Sequence, residues 1–421
     1  MSHVNLNNLT YNFSQKAQRN LWMLCGAGIV LLILGVIFHH NPEMAGEGMD
    51  EHHASLGQRI WANLLVNSYF FGGISLGALF FYALQYAAQA SWSTVFMRIF
   101  SAIGTFLPIG LGLIFLIFLT GRLGLHHIYH WQTYMYHNDG GEADHFMEHK
   151  RPYFGDAFFW GRTIVFMAGY FIYQRWSRKN ALAEDLMRSG ADTARNWNLN
   201  LKNAAIFLVF FGFSSSVFVW DTIMSIDTHW YSTLFGWYNF AGWWLGAIIV
   251  ANLLVMHLKS RGQMEYVTAS HVHDLGKWMF AISFLWTYLW FSQFMLIWYS
   301  NIPEEVVYFQ QRWEQFRGLF WITMIVNFGF PMLVLMSRDS KRNKSFLLFV
   351  ALLIVFFHWT DTFLLITPGA VGASWGLGGI EIGMFLAFAS FFTFWVLRSL
   401  SKAPLLAKNH ALLEEGLHFH S

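Results

Sequence analysis

The sequence predicts an all-α polytopic integral membrane protein with about ten transmembrane helices. Of its 421 residues, 55% are hydrophobic, 19% are aromatic and only 12% are charged, which is far too apolar for a soluble domain of this length. Ten apolar stretches are long enough to cross a bilayer, which takes about 20 residues each. They lie near residues 21–38, 60–88, 96–119, 157–176, 203–219, 237–257, 277–299, 318–336, 346–366 and 379–397.

No linker, composition shift or internal repeat divides the chain, so we expect a single transmembrane domain over residues 1–421. Small residues occur at the spacing that lets two helix backbones approach closely. These are the pairs Gly73/Gly77, Gly242/Gly246 and Gly379/Gly383. Pro108 and Pro331 are expected to kink their helices.

The lysines and arginines predict which way the chain crosses the membrane. With a cytoplasmic N-terminus, most of the 26 Lys and Arg residues fall in cytoplasmic connections, and the positive-inside rule then puts both termini in the cytoplasm. The opposite connections hold most of the acids, including Glu304 and Glu305, and face the periplasm or an equivalent space. Residues 1–20 are polar and lack the features of a cleaved signal peptide, so the first helix is expected to be retained.

The cysteine and histidine content bounds the redox chemistry of the chain. Cys25 is the only cysteine, which excludes an internal disulfide, a cysteine-ligated iron–sulfur cluster and a CxxCH haem attachment. A b-type haem needs paired histidines at matching depth, whereas His257 and His358 lie near opposite sides of the membrane. We therefore expect such redox groups on partner proteins, and no metal site in this chain.

The stretch from Ser214 to Trp244 places polar groups where one apolar segment ends and the next begins. Asp221 stands at a helix end, and a charged residue in or near hydrocarbon costs roughly 2.5 to 3.5 kcal/mol on insertion scales. Asp221 therefore calls for a partner, a wet cavity or a chemical task. Asp227 and His229 follow in the same stretch.

A second polar cluster interrupts the apolar run at 346–366. His358 and Asp361 are three residues apart, so they share a helix face and are able to exchange a proton. The helix rise places Asp361 roughly 8 Å, and His358 about 12 Å, below the outer membrane edge, with Glu381 at a similar level. Intramembrane ionisable residues favour proton transfer or quinone contact over the alternative, a hydrogen-bonded pair that only joins helices.

Residues 277–299 contribute a polar stripe. Tyr288, Ser292 and Tyr299 lie at spacings of four and seven, with Gln293 beside them, and either line a hydrated path or join neighbouring helices. Towards the cytoplasm such a path would continue through titratable residues, namely His257, Asp274 and Lys277.

The outer loop 121–161 is rich in histidine. Its histidines are His126, His127, His130, His137, His145 and His149. His126 and His130 are at helical spacing, which makes a metal site conceivable. Because no cysteine and no recognised ligand signature accompany them, a solvated loop that docks a partner is the favoured interpretation.

Three blocks of sequence together resemble a known family. They read WDTIMSIDTHWYSTLFGWYNFAG, DLGKWMFAISFLWTYLWFSQFMLIWYSNIPEE and HWTDTFLLITPG. From its first predicted helix to its last, the chain resembles the ActF-type membrane subunit of bacterial alternative complex III. That complex is a quinol:cytochrome c oxidoreductase, and the subunit belongs to the wider NrfD-like polysulfide-reductase membrane-anchor family. Thr222 and Thr228 stand where the family pattern usually has tryptophan and proline.

The resemblance implies two four-helix bundles, at about 60–222 and 237–366, flanked by helices at about 21–38 and 379–397. It also implies the bacterial inner membrane, with haem c and iron–sulfur clusters on periplasmic partner subunits. The implied partners are a sister NrfD-like membrane subunit, iron–sulfur and multihaem cytochrome c subunits, small membrane subunits and a terminal oxidase, and no nucleic acid. In the family the sister subunit is thought to hold the working quinol site, which leaves menaquinone or lipid as candidate ligands of this chain.

The leading hypothesis is a non-redox subunit of a (mena)quinol:cytochrome c oxidoreductase that contributes a proton path through Asp221, His358, Asp361 and Glu381. The other candidates for the path are Asp227, His229, His257, Asp274, Lys277, Tyr288, Ser292 and Gln293. Two further hypotheses are that the chain itself oxidises menaquinol next to His358 or Asp221, and that it is an independent proton-coupled transporter. A pure scaffold is the fourth.

Overall fold

The computed structural model describes residues 9–38, 55–137, 145–187, 190–337 and 344–419. Long α-helices joined by short connections make up almost all of this part of the chain. In chain order they are α1 Gln15–Ile37, α2 Leu56–Ala87, α3 Ser91–Arg122, α4 His145–Phe154, α5 Asp156–Ala183, α6 Gly190–Thr222, α7 Leu234–Ser260, α8 Ala269–Ser300, α9 Pro303–Gln315, α10 Arg317–Val334, α11 Lys344–Val371, α12 Gly379–Leu400 and α13 Leu413–Leu417.

The predicted all-α polytopic membrane fold is confirmed. Within the described ranges, nine helices are long and apolar enough to cross a membrane: α1, α2, α3, α6, α7, α8, α10, α11 and α12. The predicted fourth span falls in α5, which is helical over 28 residues. It is less apolar than the nine because Arg162, Gln174 and Arg175 lower its hydropathy.

Both ends of the described chain lie at one end of the helix bundle, which we call the terminal face. The Leu405 amide donates to the Leu9 carbonyl at 2.6 Å, and α1 packs along α12. At the opposite end, the distal face, Gln58 Nε2 donates to the Ala370 carbonyl at 2.7 Å. A chain that enters and leaves at one face crosses an even number of times, so a tenth helix has to run the length of the bundle beside the nine.

Helix α5 is that tenth helix. At its distal end Asp156 pairs with Arg122 at the end of α3, 3.4 Å apart. Near its other end, Arg178 Nη2 donates to the Ser399 carbonyl at 2.8 Å, close to the end of α12. The helix therefore spans from the distal face to the terminal face although it is less apolar than its neighbours.

Helix α2 forms the centre of the bundle. It is the most enclosed of the nine apolar helices, with 89% of its apolar window buried. It packs against α3, α6, α7, α11 and α12. The helices between 60 and 222 and those between 237 and 366 therefore contact each other mainly through α2.

The predicted close packing of helices at glycine is confirmed at several positions. A Cβ atom added to Gly383 would lie 2.6 Å from the Gly28 carbonyl oxygen, and one on Gly379 would lie 2.8 Å from the Leu31 carbonyl oxygen. The backbones of α1 and α12 thus leave no room for a side chain. Gly77 approaches the Trp243 backbone in the same way, whereas a Cβ on Gly242 would make only an ordinary contact.

The two predicted proline kinks coincide with irregular turns. Pro108 follows a 3-10 turn at Gly104–Phe106 within α3, and Pro331 follows a π-helical turn at Ile325–Gly329 within α10. Proline lacks the amide hydrogen that a regular helix needs, which accounts for both interruptions.

Candidate functional site

Asp221, near the end of α6, forms a buried ion pair with Arg162 of α5. Arg162 Nε donates to Asp221 Oδ2 at 2.7 Å and Nη2 donates to Oδ1 at 2.8 Å. The Tyr153 hydroxyl adds a third bond to Oδ1 at 2.9 Å, and its ring lies 3.7 Å from the guanidinium carbon. Asp221 is only 2% exposed, so the cluster joins α5, α6 and α4 in a place that excludes water.

Two more of the predicted acids are paired with arginine. Arg312 of α9 donates from Nη2 to Asp227 Oδ2 at 3.0 Å. At the start of α12, Glu381 Oε1 accepts from Arg59 Nε at 2.6 Å, while Oε2 accepts from the Gly378 amide at 2.8 Å. A guanidinium–carboxylate pair is a strong, directed contact, so these two pairs join separate elements of the bundle.

Arg312 is held on every side. Besides Asp227, its guanidinium donates to three backbone carbonyls, those of Tyr308 at 2.8 Å, Leu364 at 3.0 Å and Leu365 at 3.2 Å. It also lies 3.3 Å from the centre of the Tyr308 ring. This arginine therefore fastens α9 to the distal part of α11.

Asp361 differs from the other three acids. It is 6% exposed in the middle of the bundle, and within the described ranges no lysine or arginine forms an ion pair with it. Its Oδ1 accepts from the Tyr238 hydroxyl at 2.5 Å, and the Trp286 indole is a further neighbour. The polar neighbours of this buried carboxyl are therefore a hydroxyl and an indole, both of them neutral hydrogen-bond donors.

Two small cavities meet at Asp361, and each has about 20 Å³ of space for a water-sized sphere. The outer cavity reaches Gln293 and Arg312, and the inner cavity reaches His358 and Asn239. That volume admits about one water molecule, because a water needs roughly 10 to 15 Å³ on this measure. The carboxyl thus stands between two water-sized, partly polar spaces.

His358 faces the inner cavity. Among the described residues its Nε2 has no hydrogen-bond partner, and its ring meets the Trp286 ring edge-on with centroids 4.9 Å apart. On the same cavity wall the Tyr69 hydroxyl donates to Asn239 Oδ1 at 2.9 Å. His358 and Asp361, which were predicted to share a helix face, therefore line the same cavity.

Three more buried polar side chains lie on α7 and α8, two helices that also contribute residues to the inner cavity. Thr287 and Ser283 of α8 and Asn252 of α7 each carry an oxygen without a hydrogen-bond partner in the described part of the chain. Helices α7 and α8 pack against each other. At 1.5 Å of rise per residue, the levels of Thr287, Ser283 and Asn252 are successively nearer the terminal face. Each oxygen is able to accept a hydrogen bond from water.

Several predicted path residues lie elsewhere. Tyr288 is 59% exposed on the outer surface of α8, and Ser292 is half-buried on the same helix. Lys277 is bound to Asp274 with 2.5 Å between Nζ and Oδ1 near the terminal face. The stripe through Tyr288 therefore does not lie near Asp361. Gln293, which is next to that stripe, does line a cavity with Asp361.

His257 and His229 lie at opposite ends of the bundle. His257 is half-buried in the last turns of α7, and its Nε2 has no hydrogen-bond partner within the described ranges. Tyr11 meets its ring edge-on with centroids 6.3 Å apart. His229 is exposed on the distal face, where its ring stacks on Phe146 with centroids 5.4 Å apart. It lines an open cleft that also contains Asp227 and Glu304.

The histidines of the 121–161 loop are dispersed wherever their positions are described. His126 is buried with its Nε2 bound to the Ile117 carbonyl at 2.9 Å, and burial lowers the pKa of its imidazole. His127 Nδ1 is bound to Thr133 Oγ1 at 3.1 Å. Nowhere in the described ranges do three histidine, cysteine or acidic side chains converge as metal ligands. The side chains of His137 and His145 lie outside the described residues.

Sequence reasoning missed the arginine partners and a buried acid at the terminal face. Glu184, between α5 and α6, is 4% exposed and accepts hydrogen bonds from Asn196 at 3.2 Å and from Tyr86 at 3.5 Å. Its neighbour Asp185 pairs with Arg98 at 2.7 Å. The sequence feature that pointed to this site was the adjacent pair Glu184 and Asp185 within a connection that is mostly basic.

Glu184 makes stability depend on pH. Burial raises the pKa of its carboxyl to about 7 against the opposing attraction of Arg98, so the folded protein binds this proton more tightly than the unfolded chain does. The stabilisation is present at low pH and is lost as the pH rises through about 7. Glutamine has no proton to lose, so the variant should gain stability relative to wild type as the pH rises. We expect the difference in unfolding free energy, Glu184→Gln minus wild type, to be roughly 1–3 kcal/mol larger at pH 8 than at pH 5.

Thermal unfolding of both proteins in detergent at the two pH values measures this difference. His410, whose pKa burial lowers to about 4, acts in the opposite direction but is present in both proteins and cancels. The exposed Glu415→Gln on the same face is the matched control. An identical pH dependence in wild type and Glu184→Gln would contradict the prediction.

Over the described ranges, the fold and the site together define the class: a multi-pass helical membrane protein in which a buried carboxyl, that of Asp361, forms no ion pair with lysine or arginine and lies between two water-sized cavities. Comparison with known proteins adds no family to this class. No protein-family model matches the chain, and no curated protein matches it.

Proposed function

We propose that this chain is a non-redox integral membrane subunit of a respiratory (mena)quinol:cytochrome c oxidoreductase of the alternative complex III type, and that it conducts protons through Asp361. The observation that carries the proton function is that no described lysine or arginine forms an ion pair with Asp361, which lies at the junction of two cavities. The resemblance of the three sequence blocks supports membership of the complex.

The size of the cavities favours protons over quinol at this position. Ligand pockets usually measure about 300 to 1,000 Å³, whereas each space beside Asp361 holds about one water. A quinone ring does not fit without rearrangement of the Tyr238 and Trp286 side chains. Proton transfer needs only a carboxyl, a hydroxyl and a few waters within hydrogen-bonding reach.

The proposed path has an outer and an inner half. From Asp361 the outer half follows the cavity beside Gln293 and Arg312 to Asp227, which is partly exposed on the distal face. The inner half follows the cavity beside His358 and then the unpartnered oxygens of Thr287, Ser283 and Asn252. Tyr288 is not part of the path proposed here, because it lies on the outer surface of α8.

The distribution of charge supports an orientation. Most of the Lys and Arg residues are near the terminal face, which by the positive-inside rule is the cytoplasmic side of a bacterial inner membrane. Arg59, Arg122 and Arg312, on the distal side, are each ion-paired with an acid. Both termini are then cytoplasmic, and the distal face is periplasmic.

The proposed partners carry the redox groups. Exposed acids of the distal face, such as Glu304, are available to periplasmic iron–sulfur and multihaem cytochrome c subunits. The exposed aromatic surface of α8, with Tyr288 and Trp298, is available to lipid or to a sister NrfD-like membrane subunit. Menaquinol oxidation itself is then the task of the sister subunit.

Purification of the tagged chain from its native membrane tests the proposal. We expect c-type haem and iron–sulfur clusters to co-purify in fixed ratio, measured by optical spectra and metal analysis, together with menaquinol-driven cytochrome c reduction. Disrupting the assembly should leave this chain without haem absorbance. A chain that purifies without partners and moves a solute in vesicles would contradict the proposal and favour the transporter hypothesis.

A further inference from the structure

A large open cleft lies between α3, α5 and α12 in the half of the bundle nearer the terminal face. Its volume is about 1070 Å³, far larger than the spaces beside Asp361. Its floor includes the Trp395 indole, which donates to the Thr105 carbonyl at 3.0 Å and thereby joins α12 to α3. The cleft is therefore formed by three helices that pack together, and not by a surface loop.

The polar end of this cleft carries positive charge only. Its basic lining residues are Arg175, Arg178, Lys179, Arg398 and Lys402, and no described aspartate or glutamate lines it. Arg178 is fixed by bonds to Ser101 Oγ at 3.3 Å and to the Ser399 carbonyl at 2.8 Å. In the described part of the chain, the other four form no ion pair with an acid.

The other end of the cleft is apolar and faces outward. Pro108 and Ile109 of α3 and Phe171 and Ile172 of α5 line it, and Ile172 is 63% exposed. In a membrane these side chains lie at the depth of acyl chains, while the basic residues at the helix ends lie at the depth of headgroups. One cleft thus combines a cationic headgroup region with an apolar wall below it.

We infer that this cleft is a binding site for an anionic phospholipid. The phosphate pairs with the guanidinium and ammonium groups of Arg175, Lys179 and Lys402, and one acyl chain packs along Phe171 and Ile172. Basic pockets between membrane helices are suited to such headgroups because the low-dielectric walls strengthen the attraction. A free phosphate would use only the upper half of the site. The inference does not depend on the proton path.

Anionic lipid could also be retained by a general attraction to the basic membrane face, without a specific site. A matched pair of variants distinguishes this general attraction from binding in the cleft. The cleft variant combines Arg175→Gln, Lys179→Gln and Lys402→Gln. The control combines Lys16→Gln, Arg195→Gln and Lys202→Gln, which removes the same charge from exposed positions near the terminal face that do not line the cleft. Arg178 is unchanged in both because it holds α5 to α12.

The experiment titrates the protein, purified with any subunits that accompany it, with dioleoyl-phosphatidylglycerol and with dioleoyl-phosphatidylcholine, and counts bound lipid by native mass spectrometry. We expect wild type to retain phosphatidylglycerol selectively, the cleft variant to bind it about tenfold to a hundredfold more weakly, and the control to match wild type. Glycerol 3-phosphate should not compete at concentrations that saturate the lipid.

Three results would overturn the inference. The first is equal retention of the two lipids by wild type, which needs no variant and stands even if the cleft variant fails to fold. The second is an equal loss of lipid in the cleft variant and the control. The third is effective competition by glycerol 3-phosphate, which would show that the apolar wall contributes nothing.

Discussion

Replacing Asp361 by asparagine is expected to stop proton transfer through this chain while leaving the assembly intact. Asparagine has the same shape and can still accept the Tyr238 hydrogen bond, but it cannot release a proton. Loss of a positioned proton carrier typically slows the step that it serves by about 10² to 10⁴-fold. Proton release per quinol oxidised, measured in reconstituted vesicles, should therefore fall to the value set by the partner subunits.

Asp156→Asn is the matched control for this variant, because Asp156 is a half-exposed acid in a surface pair with Arg122. It should leave the proton stoichiometry unchanged. An unchanged stoichiometry in Asp361→Asn would refute the proposed path. Complete loss of quinol oxidation in an intact Asp361→Asn assembly would instead indicate that this chain holds the quinol site.

Replacing Arg162 by methionine is expected to be the most destabilising of the arginine substitutions on the distal side. The change leaves the Asp221 carboxylate buried at 2% exposure with only the Tyr153 hydrogen bond. Removing one partner of a buried ion pair costs about 3–5 kcal/mol, because the remaining charge is uncompensated. The unfolding midpoint in detergent measures the loss.

Two further variants test this explanation. Adding Asp221→Asn to Arg162→Met removes the stranded charge and should restore more than half of the lost stability. Arg122→Met breaks a pair that is 36% and 53% exposed, and should cost less than about 1 kcal/mol because water screens the charges. Equal losses in Arg162→Met and Arg122→Met would show that burial of the pair does not matter.

The helices were predictable because hydrophobicity is a local property. Nine predicted spans coincide with helices that are long and apolar enough to cross a membrane. Helix α5 was also predicted, although Arg162 and the polar residues of its second half lower its hydropathy. That α5 runs the full length of the bundle follows from the position of both ends of the described chain at one face. This position is a property of the whole bundle and not of α5 alone.

The candidate site was predictable only in part. The spacing of His358 and Asp361 predicted a shared face, and both residues line the inner cavity. The partners of the other acids lie far away in sequence, as Arg59 does from Glu381 and Arg312 from Asp227. No periodicity along one helix contains that information, because it arises when separate helices pack together.

Asp221, which the sequence made the first choice for a functional acid, illustrates the difference. Its type and its position at a helix end determined that it needed a partner, since an unpaired charge there is costly. The packing of α5 against α6 decided that the partner is Arg162 and that the pair joins helices. The same packing left Asp361 without a cation, because the surrounding helices present Tyr238, Trp286 and two water-sized cavities to it. Composition and hydropathy determined by themselves that the protein is a multi-pass membrane protein with acids in its helices. Only the tertiary structure decided which of the predicted acids is paired with an arginine and which is not, because charge compensation depends on distances between helices.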